Sequence, residues 1–289
     1  PWLFCDDGNI WYRYIGINAS RNSPKAVLHA AMLYLGSLTF HWLHFYHYAR
    51  ILQMEEMRSR NSTLKSSVTV STKLLLLPKP QYMIISVNRL WIKPSKESLQ
   101  SFLKDETYRW TILRNLLIAP ISEEVIFRAC MIVPLLSSSE NDNDTLKLSP
   151  TQICWIAPLF FGVAHLHHFY EQYRQLPAVQ RTKQAILQLI VGLLFQLTYT
   201  ILFGAYASHL FIRTGSLLAV IFVHIFCNYM GLPEVSFASP TSGLHCYRWL
   251  LWCAYFMGIA LFIKGFNSSW VFPDESVLPS LLLRGVAII

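Results

Sequence analysis

The chain has 289 residues, of which 53% are hydrophobic and 14% charged, against about 25% charged in soluble domains. A mean hydropathy of +0.35 excludes an ordinary soluble domain and reads as an all-α, polytopic integral membrane protein. The formal charge of +8 fits loop Lys and Arg facing an anionic membrane surface, so the bilayer is the expected partner and no nucleic acid is expected.

Pro1 to Lys25 mixes aromatic and polar residues around a turn signal at Asp6-Asp7-Gly8, and its lack of Met and of a basic leader reads as a fragment of a longer protein. Ala26 to about Phe45 is long enough for a first span. Its end is crowded with His41, Trp42, His44, Tyr46, His47 and Tyr48, a pattern favouring an interfacial aromatic belt over a metal site. Arg50 to Trp110 carries most of the positive charge, and its apolar pieces Leu74 to Leu77 and Tyr82 to Ile92 are too short to span. Residues 1–110 therefore read as an N-terminal region with one membrane helix and a long basic loop, cytosolic by the positive-inside rule.

Residues 111–265 read as a helical membrane core. Thr111 to Leu136 forms a helix containing Pro120, followed by an acidic, turn-rich loop from Ser137 to Pro150 that suits the opposite side. Of the sequons at Asn18, Asn61, Asn143 and Asn267, only Asn143 falls in a loop assigned to the lumen. Thr151 to Tyr170 is a further helix. Arg174, Arg181 and Lys183 then return the chain to the cytosolic side. Ala185 to Ile212 is one long helix or two pieces broken near Gly204, Ser216 to Met230 follows a Gly215-Ser216 cap, and Trp249 to Ile263 is the last clear span. Residues 266–289 form an amphipathic tail. Cys5, Cys130, Cys154, Cys227, Cys246 and Cys253 show no CxxC or paired spacing, so packed thiols are expected rather than disulfides or a zinc site.

The chemistry concentrates in Ile121 to Arg128 (ISEEVIFR), where Glu123 and Glu124 interrupt a long apolar run. An ionisable group at bilayer depth costs roughly 2.5–3.5 kcal/mol on insertion scales and normally faces a protein interior or a wet cavity. Glu124 and Arg128 are four apart, the spacing of neighbours on a helix face, so Glu124 reads as the partner of Arg128. Glu123 is about 100° further round and free of that pair. Phe161 and His165 share a face in FFGVAH, where Gly162 and Ala164 would let another backbone approach, and His224 and Asn228 share one in HIFCN. Counted at 1.5 Å per residue, Glu123 lies roughly 14 Å in from Arg114 and His165 roughly 9 Å from Glu171, both in the cytosolic half of the bilayer.

A carboxylate and a histidine flanking one water can act as general base and acid, and a second histidine with an amide can stabilise an oxyanion. One Glu and two His could instead hold zinc, although no HExxH is present. A cysteine protease using Cys130 or Cys227 and a non-catalytic membrane scaffold are weaker alternatives. Spacing alone is a poor guide: Glu55 to Arg60 also fits EExxxR, inside a solvated charge run.

With these residues in hand, the chain resembles the type II CAAX prenyl endopeptidase family, the Ras-converting enzymes, within the wider glutamate-dependent intramembrane proteases. The resemblance runs from RNLLIAPISEEVIFRACM, starting at Arg114, through LFFGVAHLHHFYEQYR and FGAYASHLFIRTGSL to HIFCNYMGLP near Pro233. It holds three ordered motifs, EExxxR, FxxxH and HxxxN; before Arg114 the likeness is poor. It implies removal of the C-terminal tripeptide from prenylated CAAX proteins such as Ras-like small GTPases. The site would be a polar cavity open to the cytosolic half of the endoplasmic reticulum membrane, with no metal and no cofactor. By the same resemblance Glu123 and His165 would activate water, His224 and Asn228 would hold the oxyanion, and Glu124, Arg128 and Phe161 would support them.

Overall fold

The structure is a computed structural model and describes residues 23–61, 106–140, 148–164, 166–177, 181–269 and 272. Every regular element among the described residues is helical. The expected first span is divided at Tyr34 into α1 (Ser23–Leu33) and α2 (Leu35–Asn61), so the start of the expected polar loop is helix as far as Asn61. The rest of that loop up to residue 105, with its short apolar pieces, lies outside the described residues, as do Cys5 and the Asn143 sequon.

Residues 106–140 form one unbroken helical stretch: α3 (Glu106–Leu113), α4 (Ala119–Glu124) and α5 (Met131–Glu140), joined by wider turns at Arg114–Ile118 and Val125–Cys130. In the first wide turn the Ala119 N–H reaches back five residues to the Arg114 carbonyl. Proline explains the position of both turns. Pro120 and Pro134 have no N–H to give and crowd the preceding turn, and a local widening relieves each. The two wide turns bracket α4, which carries Glu123 and Glu124.

The helix expected over 151–170 is described as α6 (Pro150–Ala164) and α7 (Leu166–Gln175), on either side of residue 165. The question at Gly204 resolves in favour of one helix, α8 (Lys183–Thr214). The Thr182 hydroxyl caps its start by accepting from the Ala185 N–H at 3.2 Å. Gly215, at φ 62°, ends it in the left-handed conformation that glycine tolerates. Ser216 then accepts from the Ala219 N–H at 3.2 Å, opening α9 (Leu217–Met230). The chain continues to α10 (Arg248–Gly265).

Among the described residues, two helices are long and apolar enough to cross a membrane, Lys183–Thr214 and His245–Gly265, and the bent pair Pro24–Leu33 and Leu35–Ile51 makes a third span by length and composition if it crosses as one. At 1.5 Å per residue α8 is roughly 48 Å long, more than the roughly 30 Å hydrocarbon core, so it tilts or projects beyond it. Leu187, Val191, Leu194, Phe195 and Leu202 are all more than half exposed along α8. Such a largely apolar surface belongs against lipid. The chain is a membrane protein.

The described helices divide into two units, each assembled from separate chain segments. One comprises Pro1–Ala30, Ile112–Phe226 and Lys264–Ile289; the other comprises Ala31–Thr111 and Cys227–Ile263. In the second, Phe40, Leu43, Phe237, Leu244, Leu251 and Tyr255 form the core, and the Tyr255 hydroxyl donates to the Glu234 carbonyl at 3.0 Å. Trp42 stacks on Tyr46, with both rings exposed.

In the first unit, α6 lies against α8 at two glycines. A Cβ on Gly204 would sit 2.9 Å from the Pro158 Cβ, and one on Gly162 would sit 2.9 Å from the Ile201 Cγ1. At Gly162 the close neighbour is the Ile201 side chain rather than the expected backbone, and Ala164 is exposed. Gly204→Val is expected to force the helices apart at Pro158 and Phe161, costing about 1–3 kcal/mol by overpacking. A drop in resistance to denaturation by SDS, absent in Gly192→Val where a Cβ meets open space, checks this.

Candidate active site

Four elements of the first unit bring their side chains together: α4 and the wide turn after it, α6, α8 and α9. The wide turn keeps Glu124 and Arg128 neighbours. Arg128 Nε lies 3.0 Å from Glu124 Oε2, with both side chains 0% exposed. That contact is an ion pair held by charge rather than an aligned hydrogen bond, and the two Nη groups of Arg128 have no hydrogen-bond partner among the described residues. The Arg128 guanidinium also sits over the Phe161 ring, 5.2 Å from its centroid, an attraction that strengthens where water is excluded. The expected pairing of Glu124 with Arg128 is thus present and fully buried.

The sequence did not reveal the other end of Glu124. Its Oε1 lies 2.7 Å from His224 Nδ1. An ionised carboxylate only accepts, so Nδ1–H donates to it, which fixes the ring and turns Nε2 the other way. Nε2 lies 3.7 Å from Glu123 Oε2. His224 is therefore flanked by both glutamates, one on each nitrogen. Their exposures separate them: the Glu123 side chain is 28% exposed and that of Glu124 0%. Only Glu123 is open to an incoming molecule; Glu124 is an internal link from Arg128 to His224.

Aromatic rings fix His224 from the sides. Phe203 of α8 packs 4.7 Å from the imidazole centroid, and Phe161 meets it edge-on at 6.4 Å. Phe127 in turn meets Phe161 edge-on at 5.0 Å. Phe203 was not among the expected residues, and nothing in its FGAY context marks it, because contact between α8 and α9 leaves no local pattern. Asn228 follows His224 by one helical turn on α9 and is exposed, but it belongs to the second unit. His165, the other expected catalytic histidine, lies outside the described residues. Of the expected site, then, Glu123, Glu124, Arg128, Phe161 and His224 are joined by a chain of pairwise contacts.

Residues 105–230 match the family model for the type II CAAX prenyl endopeptidase Rce1-like proteins. The chain is 46% identical over 124 residues to CAAX prenyl protease 2 of Arabidopsis thaliana, covering 43% of this chain and 35% of the relative. It is 41% identical over 155 residues to CAAX prenyl protease 2 of Homo sapiens, covering 54% of this chain and 41% of the relative. With the probable CAAX prenyl protease 2 of Schizosaccharomyces pombe it shares 42% identity over 133 residues, covering 46% of this chain and 44% of the relative. The chain thus spans less than half the length of each of these curated relatives. No solved structure matches it at a significant level. The matched segment contains every residue of the buried cluster, so it is over residues 105–230 that the chain is similar to the type II CAAX prenyl endopeptidase Rce1-like family.

Proposed function

We propose that this chain forms the catalytic membrane core of an endopeptidase that removes the C-terminal tripeptide from prenylated CAAX proteins, Ras-like small GTPases among them. The active site would open to the cytosolic half of the endoplasmic reticulum membrane. The observation that carries the reading is the asymmetric pair of glutamates around His224, one closed and tied to Arg128, the other open at 3.7 Å from Nε2. The names of the relatives supply the substrate class.

In this reading a water beside Glu123 and His165 loses a proton as its oxygen bonds to the carbonyl carbon that follows the prenylated cysteine side chain. A separation beyond direct hydrogen bonding, as between Glu123 and His224, leaves room for a molecule to contact both groups. The oxyanion formed on the carbonyl oxygen takes hydrogen bonds from the His224 imidazole and from the Asn228 amide. The abstracted proton passes to the leaving nitrogen as the C–N bond breaks, giving a prenylcysteine carboxylate and a free tripeptide. The lipid group reaches the site sideways between helices, so it never has to leave the bilayer.

The test is the chain in proteoliposomes with a farnesylated CAAX peptide, read by mass spectrometry for the tripeptide. Release from the prenylated peptide, none from the unprenylated one, and an unchanged rate in a strong chelator are expected. Binding of the prenylated peptide without any release would favour a scaffold, and loss in chelator restored by added zinc would favour the metal-dependent version.

A further inference from the structure

Helix α7 (Leu166–Gln175) plays no part in the cluster above. At 100° per residue, Leu166, Tyr170 and Tyr173 fall on one side and His167, Glu171 and Gln175 on the other. Leu166 is 42% and Tyr170 60% exposed, so the apolar side is not absorbed into the protein interior. The helix is joined by a short connection to α8, which is long and apolar enough to cross the membrane. An amphipathic helix tethered to the mouth of a span lies at the level of the lipid headgroups.

Its charge is one-sided. Between Leu166 and Lys183 the chain carries Arg174, Arg181 and Lys183 against the single acid Glu171. Each arginine lies over a tyrosine of the apolar side: Arg174 over Tyr170 at 5.7 Å and Arg181 over Tyr173 at 4.7 Å. Arg181 Nε also donates to the Leu176 carbonyl at 3.2 Å, pinning the end of α7. A guanidinium held over a ring still has N–H groups to offer a planar or tetrahedral anion, and phosphate fits its fork. Tyrosine beneath, arginine at the rim and lipid-facing α8 beside it together describe a seat for a lipid phosphate.

We propose that α7 is an interfacial helix that binds anionic lipid headgroups through Arg174 and Arg181, docking this part of the chain onto a negatively charged membrane surface. The inference rests on α8 lying in a bilayer and not on the peptidase reading, and its test does not measure peptide cleavage.

Hydrogen exchange across Leu166–Gln175 is compared for the full chain in nanodiscs of phosphatidylcholine alone and with added phosphatidylserine. Two basic side chains at an anionic surface are expected to slow exchange roughly 30-fold together. The protection should weaken at high salt and disappear in R174Q/R181Q, while exchange across α9 is unchanged. Equal exchange of the native protein in the two lipid compositions overturns the proposal without recourse to any variant. Inorganic phosphate reproducing the protection in neutral nanodiscs would also overturn it, in favour of a soluble anion site.

Discussion

Glu123→Gln is expected to lower the rate of tripeptide release by roughly 10²- to 10⁴-fold, the range for loss of a general acid–base group. The variant should remain as resistant to denaturation as the native protein. Both halves of the expectation follow from the position of the side chain. Glu123 is 28% exposed and 3.7 Å from His224 Nε2, beyond a direct hydrogen bond. Removing its charge therefore leaves the Glu124–His224 contact and the Arg128 ion pair in place. The loss should fall on kcat rather than on binding of the prenylated peptide, since the lipid supplies most of the apolar contact area. His165→Ala carries the same expected loss from the family resemblance. Full activity in Glu123→Gln would sink the assignment of this carboxylate to water activation.

Glu124→Ala is expected to fail differently, through the fold as well as the chemistry. It strands the fully buried Arg128 guanidinium, and breaking a buried pair from one side typically costs about 3–5 kcal/mol. It also releases His224 Nδ1 from its 2.7 Å anchor. The two effects separate in the double variant Glu124→Leu/Arg128→Met, because replacing both members of a buried pair by apolar groups is often neutral or stabilising. Resistance to SDS should return close to native in the double variant, while peptide release stays down by roughly 10²-fold because the imidazole is no longer aimed. Arg128→Lys alone should not substitute for arginine, since a compact ammonium lacks the planar face that lies over Phe161. If the double variant regained both stability and activity, Glu124 would be only the partner of Arg128, with no part in holding His224.

The spacing of the motif residues made part of this arrangement legible. Glu124 and Arg128 on one helical face and Gly215-Ser216 as a helix junction both depend on neighbours within four residues. The backbone geometry of a helix fixes such relations wherever the helix lies. Pro120 was legible as a tolerated proline, but the wide turns on either side of α4 were not, because they depend on how the surrounding stretch absorbs a missing N–H. The Phe203 contact with His224 was illegible for another reason: it joins two apolar helices whose faces look equally suited to lipid and to protein.

Composition and apolar runs by themselves determined that this is an all-helical membrane protein, since a chain with so few charges and such long apolar segments can satisfy its backbone in lipid as helix. They also determined that the adjacent glutamates needed a reason to be there. Only the tertiary structure decided how the pair divides. Glu124 grips an imidazole 100 residues away and is sealed from solvent, while Glu123, its neighbour in the chain, stays open. Burial and long-range partners arise from the packing of separate helices, and no spacing within one helix encodes which of two adjacent carboxylates that packing will enclose.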